Sequence, residues 1–429
     1  VPRPRTLAYA FAFIFPPILI GVVRTFSTAG QVLIQTEPKA LDARETPTAP
    51  PIAPIDTGKP VALFLLSNAS TQVTELLAGY QALGETGRYR LVTAAPDRRL
   101  SATTGAVSVL PDTTLAEAPA PAVLVIPAVV DFTNERLIAY LKKSQAPRIL
   151  TLGEGSSLAA QAGLLDGLKV STHFNAVDAA REANPAVRWT AARDYQVDGR
   201  VFSTAGLAAT VEALPFATQW LAGRTPPEAP EHAVEALTPP DFFTLFLHGG
   251  YTFIPRSLGV YLTDGVDETR LAALLDTFPR TMSSLMATWS DTRRAVRSRH
   301  GLTLVATQDI LKNAELPDVL AIPEGSKLEA GAEKWVGTTG LPTAVFPKTP
   351  VARDALFGQA LAWLEESPFD LADAVPFVAK FTQARARAGE KYAASSGLAW
   401  LYRPVLVGIL GMLVARWILG RLGRKSRVI

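Results

Sequence analysis

The hydrophobic pattern divides this chain of 429 residues into two apolar end segments and a long body in which short apolar runs alternate with amphipathic ones. Residues 6–23 (TLAYAFAFIFPPILIGVV) are uncharged and lie between Arg5 and Arg24. A helix rising about 1.5 Å per residue covers roughly 27 Å in that length, close to the hydrocarbon thickness of a bilayer. A transmembrane helix is predicted over 6–23, with Pro16 and Pro17 expected to kink it or break its hydrogen bonding. A cleaved signal peptide shares this pattern; the expectation adopted is a retained anchor. Residues 397–420 form the second candidate span, interrupted by Arg403 and Arg416. The segment is apolar on all sides, and Trp400, Tyr402 and Trp417 suit two membrane interfaces. The alternative is an amphipathic helix lying on the bilayer. Gly411 and Ala415 make a small-x-x-x-small pair suited to helix packing, and Arg416 is expected to face a protein partner.

In the body, the polar, Pro/Thr/Ala-rich residues 24–60 read as a linker. From Val61 the period changes. Residues 61–66 (VALFLL), 89–94, 122–127 and 148–152 are predicted strands, with helices over 72–83 and 134–143. Residues 152–174 (LGEGSSLAAQAGLLDGLKVSTHF) read as a strand end, a Gly-rich turn, a helix over 157–163, a short turn and a strand entering Ser171-Thr172-His173. Residues 201–221 complete the unit. Strands alternating with helices imply a parallel sheet covered on both faces.

The second half repeats the first at an offset near 195. Asp97 corresponds to Asp291, Arg99 to Arg294, Gly105 to Gly301 and Pro127 to Pro323. A constant offset across several elements signals an internal duplication. The predicted class is therefore α/β: two tandem flavodoxin-like parallel-sheet domains over 61–222 and 258–365, the second truncated. A connecting segment (223–257) joins them, and a helical linker (366–396) leads to the last span. The aromatic segment 241–255 is expected to be core between the repeats, the alternative being a surface that touches lipid or a partner. The acidic turn from Asp264 to Glu268 lacks the spacing of a calcium loop and is expected to cap a helix.

Hydrophobic residues make up 48% of the chain and charged ones 19%, with mean hydropathy +0.18, which agrees with membrane segments. The net charge is +3, and the basic residues do not interleave with aromatics, so nucleic acid is not an expected partner. The absence of cysteine excludes disulfides and thiolate metal sites. Val1, read as a GTG start, and the abundance of Ala, Arg and Pro suggest a GC-rich bacterial source. Arg3 and Arg5 precede the first span, and Arg421, Arg424, Lys425 and Arg427 follow the second. By the positive-inside rule both termini are cytoplasmic, and the body lies in the periplasm outside the inner membrane.

The phrase AGLLDG at 162–167, followed by a strand running into Thr172-His173, resembles the DJ-1/PfpI branch of the class I glutamine amidotransferase-like fold. The Thr204-Ala205-Gly206 turn is similar to the turn before that family's last helix. The resemblance implies a nucleophilic cysteine where this chain has Gly153, and an acid just after the first strand. Residues 62–74 contain no carboxylate, and Glu75 comes later, on the helix. The implied pocket is vestigial: Gly153, Glu154, Gly155, Ser156 and His173. A serine substitute at Ser156 or Ser157 would need His173 oriented as its base, and no G-x-S-x-G elbow is present. His173 is expected to be structural. No cofactor, metal or catalytic residue is expected. The expected role is a membrane-anchored accessory subunit, touching the lipid bilayer and other integral membrane proteins of a larger complex. A periplasmic small-molecule sensor using the vestigial pocket is the alternative.

Overall fold

The computed structural model describes residues 4–32, 58–231, 237–291, 295–310, 316–347, 355–366, 371–382 and 401–425. Most of the Pro-rich linker, most of the helical linker, Arg294, and the side chains of Arg3, Arg5, Arg421, Arg424, Lys425 and Arg427 lie outside the described residues.

After α1 (Pro4–Val32) the chain lays down β1 (Val61–Leu65), α2 (Val73–Glu85), β2 (Arg90–Ala95), β3 (Ser101–Ala102), β4 (Val107–Val109), β5 (Thr113–Thr114), β6 (Val123–Ile126), α3 (Glu135–Lys143) and β7 (Arg148–Thr151). There follow α4 (Gly155–Gln161), β8 (Lys169–Ser171), α5 (Val177–Ala183), β9 (Arg188–Thr190), β10 (Tyr195–Asp198), β11 (Val201–Thr204) and α6 (Leu207–Leu221). Seven strands form one sheet in the order β10-β11-β7-β6-β1-β2-β5, parallel except for the β10–β11 hairpin. Both faces are covered, which explains the unbroken apolar run of β1. Ala62, Phe64 and Leu66 enter the core cluster shared with α2 and α6, while Leu63 and Leu65 enter the one shared with α3 and α4.

The second half contains α7 (Pro239–Tyr251), β12 (Arg256–Tyr261), α8 (Glu268–Thr277), β13 (Ser284–Ser290), β14 (Ala295–Arg297), β15 (Thr303–Ala306), β16 (Gln308–Asp309), β17 (Val319–Pro323), α9 (Ala330–Thr339), β18 (Thr343–Phe346), α10 (Leu356–Glu366), α11 (Val375–Thr382) and α12 (Tyr402–Lys425). Five of its strands form a parallel sheet in the order β16-β13-β12-β17-β18. That order reproduces β5-β2-β1-β6-β7. Asp267 caps the start of α8 with its side chain, and Gly265 has φ +82°, as the sequence suggested for that turn.

The two sheets meet through contacts that recur when the halves are exchanged. Helices α2 and α8 pack together. Gln72 donates to Asp276 at 2.7 Å, and Gln81 donates to Asp267 at 3.0 Å. Residues 72 and 267, and residues 81 and 276, are each 195 apart in the sequence. A small sheet, β14-β15-β4-β3, bridges the halves and pairs Val109 with Leu304, again 195 residues apart. This is the contact pattern of an isologous interface, in which each side offers the same patch.

The end helices leave the body together. Ala8–Thr28 is the one stretch among the described residues long and apolar enough to cross a membrane; its 21 residues have mean hydropathy 1.7, and 11% of the window is buried. The helix is longer than 6–23 and continues through Pro16 and Pro17. They do remove the amide donors that would serve the carbonyls of Ala12 and Phe13. Those two carbonyls face glycines of α12: a Cβ on Gly411 would lie 2.2 Å from Ala12 O, and one on Gly408 2.6 Å from Phe13 O. Helices α1 and α12 are thus antiparallel and in backbone contact. Segment 241–255 is only partly the expected core. Leu247, His248 and Tyr251 are buried, but Phe242, Phe243, Phe253 and Ile254 are exposed.

Candidate functional site

Gly153 sits where β7 ends and α4 begins. Its φ of +52° is a left-handed conformation that glycine adopts without cost. Gly155 opens α4 against the end of β6, where a Cβ would lie 2.0 Å from Ile126 O. The Gly153 amide donates to Thr204 Oγ1 at 3.1 Å, tying the elbow to the Thr204-Ala205-Gly206 turn. Gly153 and Gly206 then face each other so closely that a Cβ on Gly153 would lie 3.0 Å from Gly206 Cα. His173 completes the group from the loop after β8, with Cδ2 3.4 Å from a Cβ built on Gly206. The expected adjacent strand is shorter than thought: β8 ends at Ser171 and pairs only with β9.

The acid that the sequence placed too late is in this site. Glu75 lies in the first turn of α2, which Gln72 caps by accepting from the Glu75 amide. The loop 66–72 carries that turn back over the C-terminal edge of the sheet. Glu75 Oε1 lies 1.9 Å from where a Cβ on Gly153 would be. The carboxyl group therefore fills the space from which a nucleophile's side chain would grow. Oε2 accepts from the Ala128 amide at 2.6 Å. Burial pushes the Glu75 pKa well above the ordinary carboxyl value, and the Ala128 amide offsets only part of this. Burial thus disfavours the charged form of Glu75 at the elbow.

His173 is 4% exposed. Its Nε2 donates to Phe381 O at 3.0 Å, and the Asn175 amide lies 3.4 Å from Nδ1. Burial lowers its pKa to about 4, so the ring is neutral near pH 7 and does not pair ionically with Glu154 Oε1 at 3.9 Å. Ser156 Oγ donates to Gly153 O at 2.8 Å and lies 3.1 Å from Thr172 Oγ1. It makes no hydrogen bond with His173, so the orientation a serine nucleophile requires is lacking. Glu154 is half-exposed.

Two further groups reach the elbow from far along the chain. Arg280, just after α8, pairs with Asp276 at 2.5 Å, and its guanidinium lies 4.5 Å from the centroid of Phe381. Phe381, on α11, stands 5.4 Å from the His173 ring. Glu75, Glu154, His173, Leu207, Arg280 and Phe381 line a cavity of about 190 Å³. Among the described residues no group of three or more His, Asp or Glu could hold a metal ion. In the second half, the position 195 residues beyond Glu75 holds Arg270, paired with Glu324 at 2.8 Å, so the acid of this site is not repeated. On α12, Gly411 packs against α1 of its own chain, Ala415 is half-buried and Arg416 is exposed.

No family model and no curated protein matches the chain. Solved structures similar to it are proteins of the DJ-1/ThiJ/PfpI superfamily. A ThiJ/PfpI family protein from Pseudomonas syringae is 19% identical over 44% of this chain and 85% of that one, with TM-score 0.34. A ThiJ/PfpI domain protein from Brachyspira murdochii is 14% identical over 39% of this chain and 100% of that one, with TM-score 0.34. DJ-1beta of Drosophila melanogaster is 17% identical over 39% and 92%, with TM-score 0.34.

Proposed function

We propose that this chain is a non-catalytic, membrane-anchored accessory subunit that binds and stabilises a larger complex of integral membrane proteins. In this reading the body is a degenerate DJ-1/PfpI-like pair of tandem flavodoxin-like domains, 61–222 and a truncated 258–365. Helices α1 and α12 both span the inner membrane, the termini are cytoplasmic and the body is periplasmic. The observation that carries the non-catalytic part is the Glu75 carboxyl occupying the space beside Gly153. A buried carboxyl group and a neutral, hydrogen-bonded imidazole are present there without a nucleophile between them. The anchoring part is supported by the apolar stretch Ala8–Thr28 and by the outward apolar faces of α1 and α12.

The roughly 190 Å³ cavity favours a second reading, a sensor that holds a small molecule beside Glu75 and Arg280 without reacting with it. One experiment separates the two. The intact protein is recovered from membranes in mild detergent, and co-migrating proteins are identified for wild type, Arg416→Leu, Ser156→Ala and His173→Ala. The accessory reading expects Arg416→Leu to lose partners and the two pocket variants to keep both partners and function. Intact complexes in Arg416→Leu, with function lost in His173→Ala, would reverse the ranking.

A further inference from the structure

Helix α7 has two unlike sides. Its inward side is polar and fully engaged: Asp241 is 2.8 Å from Lys380 Nζ, and His248 lies between Ser283 Oγ at 2.6 Å and Asp373 Oδ1 at 3.0 Å. Its outward side is aromatic. Phe246 closes on Gly21 of α1 and clusters with Val407 of α12. One turn earlier, Phe242 and Phe243 are 53% and 43% exposed, and just past the helix Phe253 and Ile254 are 51% and 85% exposed. Such large apolar side chains, gathered on one short element, need a partner.

Their surroundings identify it. The two helices that Phe246 meets are themselves apolar outward, exposing Ile18, Leu19, Val22 and Val23 on α1 and Val405 and Leu406 on α12. At the same level the apolar run of α1 ends in Arg24, which donates to Thr252 O at 2.8 Å and stacks 5.1 Å from the Phe253 ring. Arg403 of α12 reaches the same turn, donating to Tyr251 O at 3.1 Å, and its neighbour Tyr402 is exposed. Aromatic rings beside arginines, at the point where apolar helices become polar, is the composition of a membrane–water interface.

We infer that the outward face of α7 and the Phe253–Ile254 tip lie in the interfacial layer of a phospholipid bilayer, as a third, non-spanning membrane contact. The inference rests on the reading of α1 as a membrane span. It fixes the height and tilt of the body, because α7 is joined on its other side to α11 and to the residues around Ser283.

The chain has no cysteine, so single-cysteine variants of the full protein carry one nitroxide each. Ile254→Cys, Phe243→Cys, Ile14→Cys on α1 and Val197→Cys on β10 are reconstituted in phosphatidylcholine–phosphatidylglycerol vesicles. Accessibility to oxygen and to a water-soluble nickel chelate is read by power saturation. The labels at 254 and 243 are expected to be several-fold less open to nickel than the label at 197, with high oxygen access, and shallower than the label at 14. Nickel access at 254 and 243 equal to that at 197, with 14 still protected, would overturn the inference alone. Low access to both reagents at 254 and 243 would also overturn it, by showing cover from protein. A label at 14 as open to nickel as that at 197 would overturn the membrane reading and this inference with it.

Discussion

Replacing Asp276 by alanine tests whether the two halves are joined by the exchanged contacts described above. Asp276 is 3% exposed and accepts from Gln72 Nε2 at 2.7 Å, from Thr74 Oγ1 at 2.6 Å and from Arg280 at 2.5 Å. Alanine leaves three donors, one of them charged, without that acceptor in a largely buried interface. An unsatisfied buried donor costs about 1–3 kcal/mol, and breaking a buried ion pair from one side about 3–5 kcal/mol. The costs share one carboxylate and do not add, so a loss of about 3–5 kcal/mol is expected. The comparison is Asp97→Ala. It removes an ion pair with Arg136 whose side chains are 53% and 58% exposed, a loss of at most about 1 kcal/mol. At about 2–4 °C per kcal/mol for 150–250 residues, Asp276→Ala lowers the melting midpoint by roughly 6–20 °C. Tryptophan fluorescence of the detergent-solubilised protein reports the transition. Asp276→Asn, which keeps an acceptor for Gln72 and Thr74, is expected to fall between the two. If Asp276→Ala melts within error of Asp97→Ala, the interface is not held in this way.

Gly153→Cys is expected to destabilise by about 1–3 kcal/mol, since its Cβ meets Glu75 Oε1 at 1.9 Å and its φ is +52°. Glu75→Ala should remove the steric part of that cost, and additive losses in the double-mutant cycle would contradict the geometry. Gly411→Leu is expected to part α12 from α1 and cost at least about 2 kcal/mol, because Ala12 O leaves no room for a side chain; unchanged melting would refute the backbone contact. His173 has its folded pKa lowered to about 4 from 6.5, so its contribution is complete above pH 6.5 and is lost as pH falls toward 4. The loss is about 3 kcal/mol relative to His173→Gln, read from melting curves at a series of pH values. Glu75 has the opposite sign. Its raised pKa gives a contribution present below about 4.5 and lost as pH rises through the folded value, so Glu75→Gln should gain on wild type with rising pH.

The parallel sheets were legible because strands buried on both faces leave continuous apolar runs such as VALFLL, and because matching elements of the two halves keep a regular spacing. Helix α9 at Ala330–Thr339 stands 195 residues beyond α3 at Glu135–Lys143. The elbow was legible for a similar reason, since Gly153 and Gly206 mark left-handed turns. Glu75 was missed because proximity was judged along the chain. The signal was there: a carboxylate in the first turn of the helix after the first strand, where a helix start approaches the carboxyl edge of the sheet. Arg280 and Phe381 carried no such signal. Arg280 is brought in by the packing of α8 on α2, and Phe381 by α11, neither of which a local pattern encodes. The sequence left segment 241–255 open between core and an outward surface, because aromatic density looks the same in either place.

The meeting of Gly408 and Gly411 with the Phe13 and Ala12 carbonyls also bears on cleavage of the chain, because it joins helices that lie at opposite ends of the described residues. With α12 seated against α1, the chain is clasped into a closed loop. A single cut in the body would then leave both fragments bound to each other at these two helices.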